Sequence, residues 1–96
     1  MTREAFHPGE FLADELEEIG MTQTELARQI DVPPNRISQL IRGKRDLTAD
    51  TALRLGRFFG TGPELWLSLQ KTYELDKAKT KLGKKIQKIT PWKPQE

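Results

Sequence analysis

Apolar residues recur at helical spacing in five successive stretches, and none of the five alternates as a strand would. Phe11, Leu12, Leu16 and Ile19 fall on one side of a first helix whose other side is acidic. Pro8 suits its first position and Gly20 its stop. The second helix opens at Thr22, with Glu25 three residues later. That spacing is a capping box, in which side chains satisfy two N–H groups the helix leaves unpaired. Leu26, Ala27 and Ile30 form its inner stripe. Asp31-Val32-Pro33 ends it, because proline disfavours helical backbone in the residue before it.

A third helix is predicted from about Pro34 to Arg42, with Ile37, Leu40 and Ile41 on one face and Gly43 as a left-handed stop. Thr48 is an N-cap for the fourth, and Asp50 suits its first turn. Its stripe is Ala52, Leu53, Leu55, Phe58 and Phe59, ending at Gly60. The fifth starts near Pro63-Glu64, carries Leu65, Trp66, Leu69 and Tyr73, and continues more weakly through Leu75, Ala78 and Leu82. Lys84 to Ile89 is short and basic, and Pro91 and Pro94 exclude helix beyond it. The expected fold is therefore all-α: an orthogonal five-helix bundle over residues 1–82 and an extended basic tail over residues 83–96, disordered or ordered by a partner.

The chain has 96 residues, enough for one domain with a single modest core. It has no cysteine, which excludes disulfides and thiolate metal sites. No apolar run reaches membrane-spanning length and the N-terminus lacks a secretory pattern, so a cytoplasmic protein without membrane contact is expected. The net charge of +2 is unevenly spread. Residues 1–20 carry −5, residues 21–60 carry +3 and residues 71–96 carry +5. A basic middle and tail permit one face to meet a polyanion.

The chemistry concentrates between Thr22 and Arg45, where two short helices are joined by a tight turn. A helix that reads DNA must pack on its own domain with one side and present polar groups with the other. On the third helix Asn35, Gln39 and Arg42 lie opposite Ile37, Leu40 and Ile41, flanked by Ser38 and Arg36. Asn and Gln pair with adenine N6 and N7, and Arg with guanine O6 and N7. Gln23 and Thr24 open the second helix, where free N–H groups face a phosphate or Gln23 reaches a base. Lys44 and Arg45 suit phosphate contact. Arg54 and Arg57 form a further basic edge, more simply read as solvation of the fourth helix. His7, the sole histidine, fits a cap or the surface better than a metal ligand, and Glu15, Glu17 and Glu18 read as helix surface. Gly60-Thr61-Gly62 reads as a helix–helix turn without a phosphate-loop pattern. No nucleophile–base pair, metal set or cofactor site is visible, so an enzyme is not expected.

The segments HPGE, GKR-x-LT-x-DTALRL, RFFGT and PE-x-W-L-x-LQ resemble the HigA antitoxins of bacterial toxin–antitoxin modules, a branch of the lambda-repressor-like, XRE-type helix-turn-helix regulators. The resemblance spans about residues 7–82. It implies a homodimer that binds a palindromic operator in double-stranded DNA, represses its own operon, and neutralises a HigB-type ribonuclease toxin. It further implies that Gln23, Pro34, Asn35, Gln39 and Arg42 face bases, with Ser38 beside them, and that Thr22, Thr24, Arg36, Lys44 and Arg45 hold the DNA backbone. Two departures stand out. Asp31 replaces a common turn glycine, which Asp tolerates. Pro34 occupies a position where a polar reader is common, leaving it only apolar contact.

One recognition helix reads few bases, so two copies about 34 Å apart are expected. Tyr73, Leu75, Leu82, Ile86 and Ile89 exceed what a small core needs and are the expected dimer interface. A free-standing regulator without a toxin partner, and an interaction module that no longer binds DNA, remain alternatives on sequence alone.

Overall fold

The computed structural model describes residues 6–94, so the outer ends of the two expected segments, residues 1–5 and 95–96, lie outside the described residues. Five helices follow one another: α1 (Pro8–Ile19), α2 (Gln23–Gln29), α3 (Pro34–Ile41), α4 (Ala49–Phe59) and α5 (Pro63–Leu82). No strand occurs among the described residues.

The ends of these helices follow from local chemistry. His7 caps α1: its Nδ1 accepts the Gly9 N–H at 2.9 Å, while Glu10 Oε2 accepts the His7 N–H at 3.1 Å. Thr22 and Glu25 make the expected capping box on α2. The Thr48 hydroxyl accepts from the Thr51 N–H and opens α4. Asp31 takes the left-handed conformation the turn requires, with φ 58°. Helix α3 ends one residue before the expected Arg42, which becomes its C-cap.

The core is one cluster in which Leu12, Leu16, Leu26, Ile37, Leu40, Leu55 and Trp66 are fully or nearly fully buried. Trp66 lies edge-on to Phe11 at 5.3 Å and near Phe59 at 5.7 Å, and its indole N–H donates to Thr61 Oγ1 at 3.1 Å. Helix α1 packs on α3 and α5, α2 on α3, and α4 on α5. Gly9 makes the first of these contacts possible. A Cβ there would stand 1.9 Å from the Leu40 carbonyl oxygen, so only glycine lets α1 approach the backbone of α3. Gly56 plays the same part where α4 meets Gly62.

Five expected stripe positions lie outside the core. Ile19, Leu53, Leu65 and the later α5 residues Leu75 and Leu82 are exposed. Leu53 lies about 100° round the helix from the buried Ala52, which turns it away from the line of Ala52 and Leu55. Residues beyond Leu82 differ from the expected irregular tail: Gly83–Lys88 winds into a 3-10 helix after Gly83 breaks α5 at φ 52°. This end projects from the bundle. The radius of gyration is 17.0 Å, against about 12–13 Å for a compact chain of this length.

Candidate nucleic-acid interface

Helix α3 divides as its sequence requires. Ile37 and Leu40 are buried, and Asn35, Ser38, Gln39 and Arg42 are partly or fully exposed. Asn35, Gln39 and Arg42 stand four and three residues apart, the spacing that stacks side chains on one helix face. Exposed Gln23 and Thr24 open α2, and exposed Lys44 and Arg45 follow α3 in the turn before α4. Pro34 starts α3 and is exposed.

Several of these side chains already hold one another. Arg45 Nε and Nη2 both donate to Gln39 Oε1, at 3.1 and 2.8 Å. The Ser38 hydroxyl donates to the Asn35 carbonyl at 3.3 Å, and Arg42 Nε donates to the Ser38 carbonyl at 3.4 Å. Thr22 is engaged with Glu25 in the cap. Arg36 is drawn across the surface toward α4, its Nη1 donating to Asp50 Oδ1 at 3.0 Å.

Arg36 leads to a second layer that local pattern does not reveal. Asp50 accepts from Arg36 and, at 2.7 Å, from Arg54 Nε. The hydrogen bond from Arg54, then the charges of Arg54 and Arg36, hold the Asp50 carboxyl below the ordinary carboxylate value against an opposing desolvation. Arg54 Nη1 also donates to the Ile30 and Asp31 carbonyls at 2.8 and 3.1 Å. These carbonyls close α2, so one guanidinium satisfies the helix end and places a cation at its negative pole. Arg54, read from sequence as solvating α4, thus braces the turn between α2 and α3. The only sequence signal was its i,i+4 spacing from Asp50.

The turn carrying Lys44 and Arg45 is braced as well. Leu47 is buried, and its N–H donates to Oε1 of the buried Gln70 at 2.8 Å. Gln70 Nε2 donates onward to Glu74. The Lys44 N–H donates to the Gln39 carbonyl at 2.9 Å. The exposed polar face of α3 and the turn after it therefore rest on supports from both α4 and α5.

The helix-turn-helix family model matches residues 12–66, which is more than half of the chain. A solved addiction module antidote protein of the HigA family from Coxiella burnetii is 47% identical, with a TM-score of 0.90 over 94% of this chain and all of that one. This chain belongs to the HigA family of helix-turn-helix proteins. The Pseudomonas aeruginosa antitoxin HigA, solved with the higBA promoter, is 38% identical with a TM-score of 0.87, covering 94% of this chain and 100% of that one. Virulence-associated protein I of Dichelobacter nodosus is 45% identical over 77% of this chain and 69% of its own length.

The fifth helix of this HigA-family chain supplies both core and surface. Tyr73 is half-buried against His7, ring centroids 4.8 Å apart, with the Lys77 ammonium 5.2 Å from its ring centre. It is thus part of the chain's own packing. Leu75, Leu82, Ile86 and Ile89 are exposed, and so is Trp92, at 82%, which the sequence reading passed over. Among the described residues, no group of three or more acidic or histidine side chains could hold a metal ion, and no helix is long and apolar enough to cross a membrane.

Proposed function

We propose that this HigA-family chain is a sequence-specific DNA-binding repressor of its own operon and the antitoxin of a HigB–HigA module. The observation that carries the reading is the exposed polar face of α3, on a fold shared with a HigA solved with promoter DNA. Gln23, Asn35, Ser38, Gln39 and Arg42 would face bases, with Pro34 offering apolar contact. Thr24, Arg36, Lys44 and Arg45 would hold phosphates, Arg36 with donors beyond the one given to Asp50, and Thr22 would do so by turning its hydroxyl from Glu25 to the phosphate.

In this reading residues 1–82 form the DNA-binding domain and residues 83–96 a basic appendage to it. A homodimer joined through Leu75, Leu82, Ile86 and Ile89, with Tyr73 at its margin, would present two copies of α3 to a palindrome. A binding role without catalysis agrees with the names of the relatives as antidotes and antitoxins, and binding its own operon would place the chain in the cytoplasm on the nucleoid.

The test is a mobility shift with the chain's own upstream promoter, with and without the product of the adjacent gene. Retarded promoter DNA, a complex altered by a small basic ribonuclease, and rescue of growth from that ribonuclease are the expected results. Promoter binding with no toxin among the neighbouring products would leave a free-standing regulator. Failure to bind promoter DNA above random DNA would overturn the reading.

A further inference from the structure

We propose that Gln39 and Arg45 act as one reading unit that selects guanine over adenine at one base pair of each half-site. The inference rests on the operator-binding reading and adds which base this position accepts.

Arg45 Nε and Nη2 converge on the single oxygen Gln39 Oε1. A guanidinium has donors and no acceptor, so the amide oxygen, and never the amide nitrogen, must face it. That fixes the amide orientation by chemistry. Two incoming N–H groups also occupy both lone pairs of the carbonyl oxygen. What Gln39 has left for a partner is its NH2, a pure donor.

The major-groove edges of the purines respond differently to such a group. Guanine shows two adjacent acceptors, N7 and O6, whereas adenine shows the N7 acceptor beside the N6 donor. The usual two-point contact of glutamine with adenine needs the carbonyl oxygen that Arg45 holds. Reading adenine would thus require breaking two charge-assisted hydrogen bonds, which gain strength as water leaves the interface. Guanine requires no such break.

Arg45 is well placed to keep that hold. Two residues after it, Leu47 is buried and tied to Gln70, and just before it the Lys44 N–H is bonded to the Gln39 carbonyl. Both ends of the Arg45 backbone are thereby fixed relative to the residue it orients. Its remaining N–H groups are free to meet a phosphate, so docking would strengthen the unit. Arg45 is in this sense a positioning residue acting through Gln39.

The test is selection from a randomised duplex library by full-length wild type, Arg45→Ala, Arg45→Lys and Gln39→Ala, followed by affinity measurements on matched duplexes. At the position whose preference Gln39→Ala erases, wild type is expected to favour guanine over adenine by about tenfold or more. Arg45→Ala should weaken binding to all duplexes and bring the two bases within about threefold. Arg45→Lys keeps the charge but lacks the rigid fork, so it should recover overall affinity and salt dependence while discrimination stays reduced. Adenine preferred by wild type at that position, or discrimination unchanged in Arg45→Ala, would overturn the inference. Wild type that selects no sequence at all would overturn the operator reading beneath it.

Discussion

Two surfaces of this molecule are exposed for opposite reasons. The outer face of α3 is polar, and Gln39, Ser38 and Arg42 are held by bonds to Arg45, Asn35 and one another's backbone. The projecting end, from Leu75 to Trp92, exposes Leu75, Leu82, Ile86 and Ile89 among eight lysines lying between residues 71 and 93. A polar face whose groups are already oriented loses little freedom when it meets a ligand of fixed shape, which suits recognition of a duplex. Exposed aliphatic groups on an elongated arm gain only when another apolar surface covers them, which suits association between chains. On the proposed function, the oriented polar groups of α3 serve reading and the exposed aliphatic groups of the projecting end serve contact between chains.

The polar face of α3 depends most on the packing behind it. Gly9→Ala would drive a Cβ into the Leu40 carbonyl, and neither backbone can yield without parting α1 from α3. A loss of about 2–4 kcal/mol in urea unfolding is expected. A loss below about 1 kcal/mol would mean that the close approach of α1 to the Leu40 backbone does not hold α3 in place. A change on the arm, such as Leu75→Ala, should by contrast leave the unfolding of isolated monomer within about 0.5 kcal/mol of wild type.

The arm is tested by Ile86→Asp combined with Ile89→Asp. Both side chains are exposed, so the helical content should be unchanged. Sedimentation should show dissociation to monomer, and operator affinity should fall about 100-fold or more as two linked half-site contacts become one. A variant that remains dimeric would place the association surface elsewhere.

Arg54→Ala addresses the support behind the reader. It leaves the Ile30 and Asp31 carbonyls without their donor and releases Asp50 from its shorter partner. A loss of about 1–2 kcal/mol is expected, together with weaker operator binding, although Arg54 itself is not expected to touch DNA. Unchanged stability with reduced binding to all sequences alike would instead make Arg54 a direct phosphate contact.

These supports explain what the sequence could and could not reveal. The five helices were legible because periodicity, the Thr22–Glu25 capping box and the glycine stops act over three or four residues. The division of α3 into aliphatic and amide faces was legible for the same reason. Leu53 was misread because an aliphatic residue next to a stripe looks like part of it. Gln70 and Arg54 were missed because their partners stand 23 and 24 residues away, and nothing near either residue specifies such a bond. His7 was legible as a cap, but its burial beneath Tyr73 depended on where α5 would pass. The later residues of α5 showed their apolar excess but not which of them, Tyr73, the chain itself would use.

The smallest effect separates the two surfaces by acid. The arm exposes mainly lysines, whose charge is constant between neutral and mildly acidic solution, whereas the supports of α3 meet at a carboxylate. Hydrogen bonding from Arg54 and the neighbouring positive charges lower the folded-state value of Asp50 below its unfolded one. A carboxyl shifted in this direction contributes stability above its unfolded value and loses that contribution as pH falls through its folded value. The deficit of Asp50→Asn relative to wild type should therefore be full at neutral pH and shrink from about pH 4 downward. Because Asp50 lies at the surface, the effect should be modest and should diminish in high salt. Urea unfolding of both proteins at pH 6 and pH 3 measures it. A deficit of equal size at the two values would mean that Asp50 holds Arg36 and Arg54 by shape and neutral hydrogen bonding. The charge it carries would then have no part in bracing the reading helix.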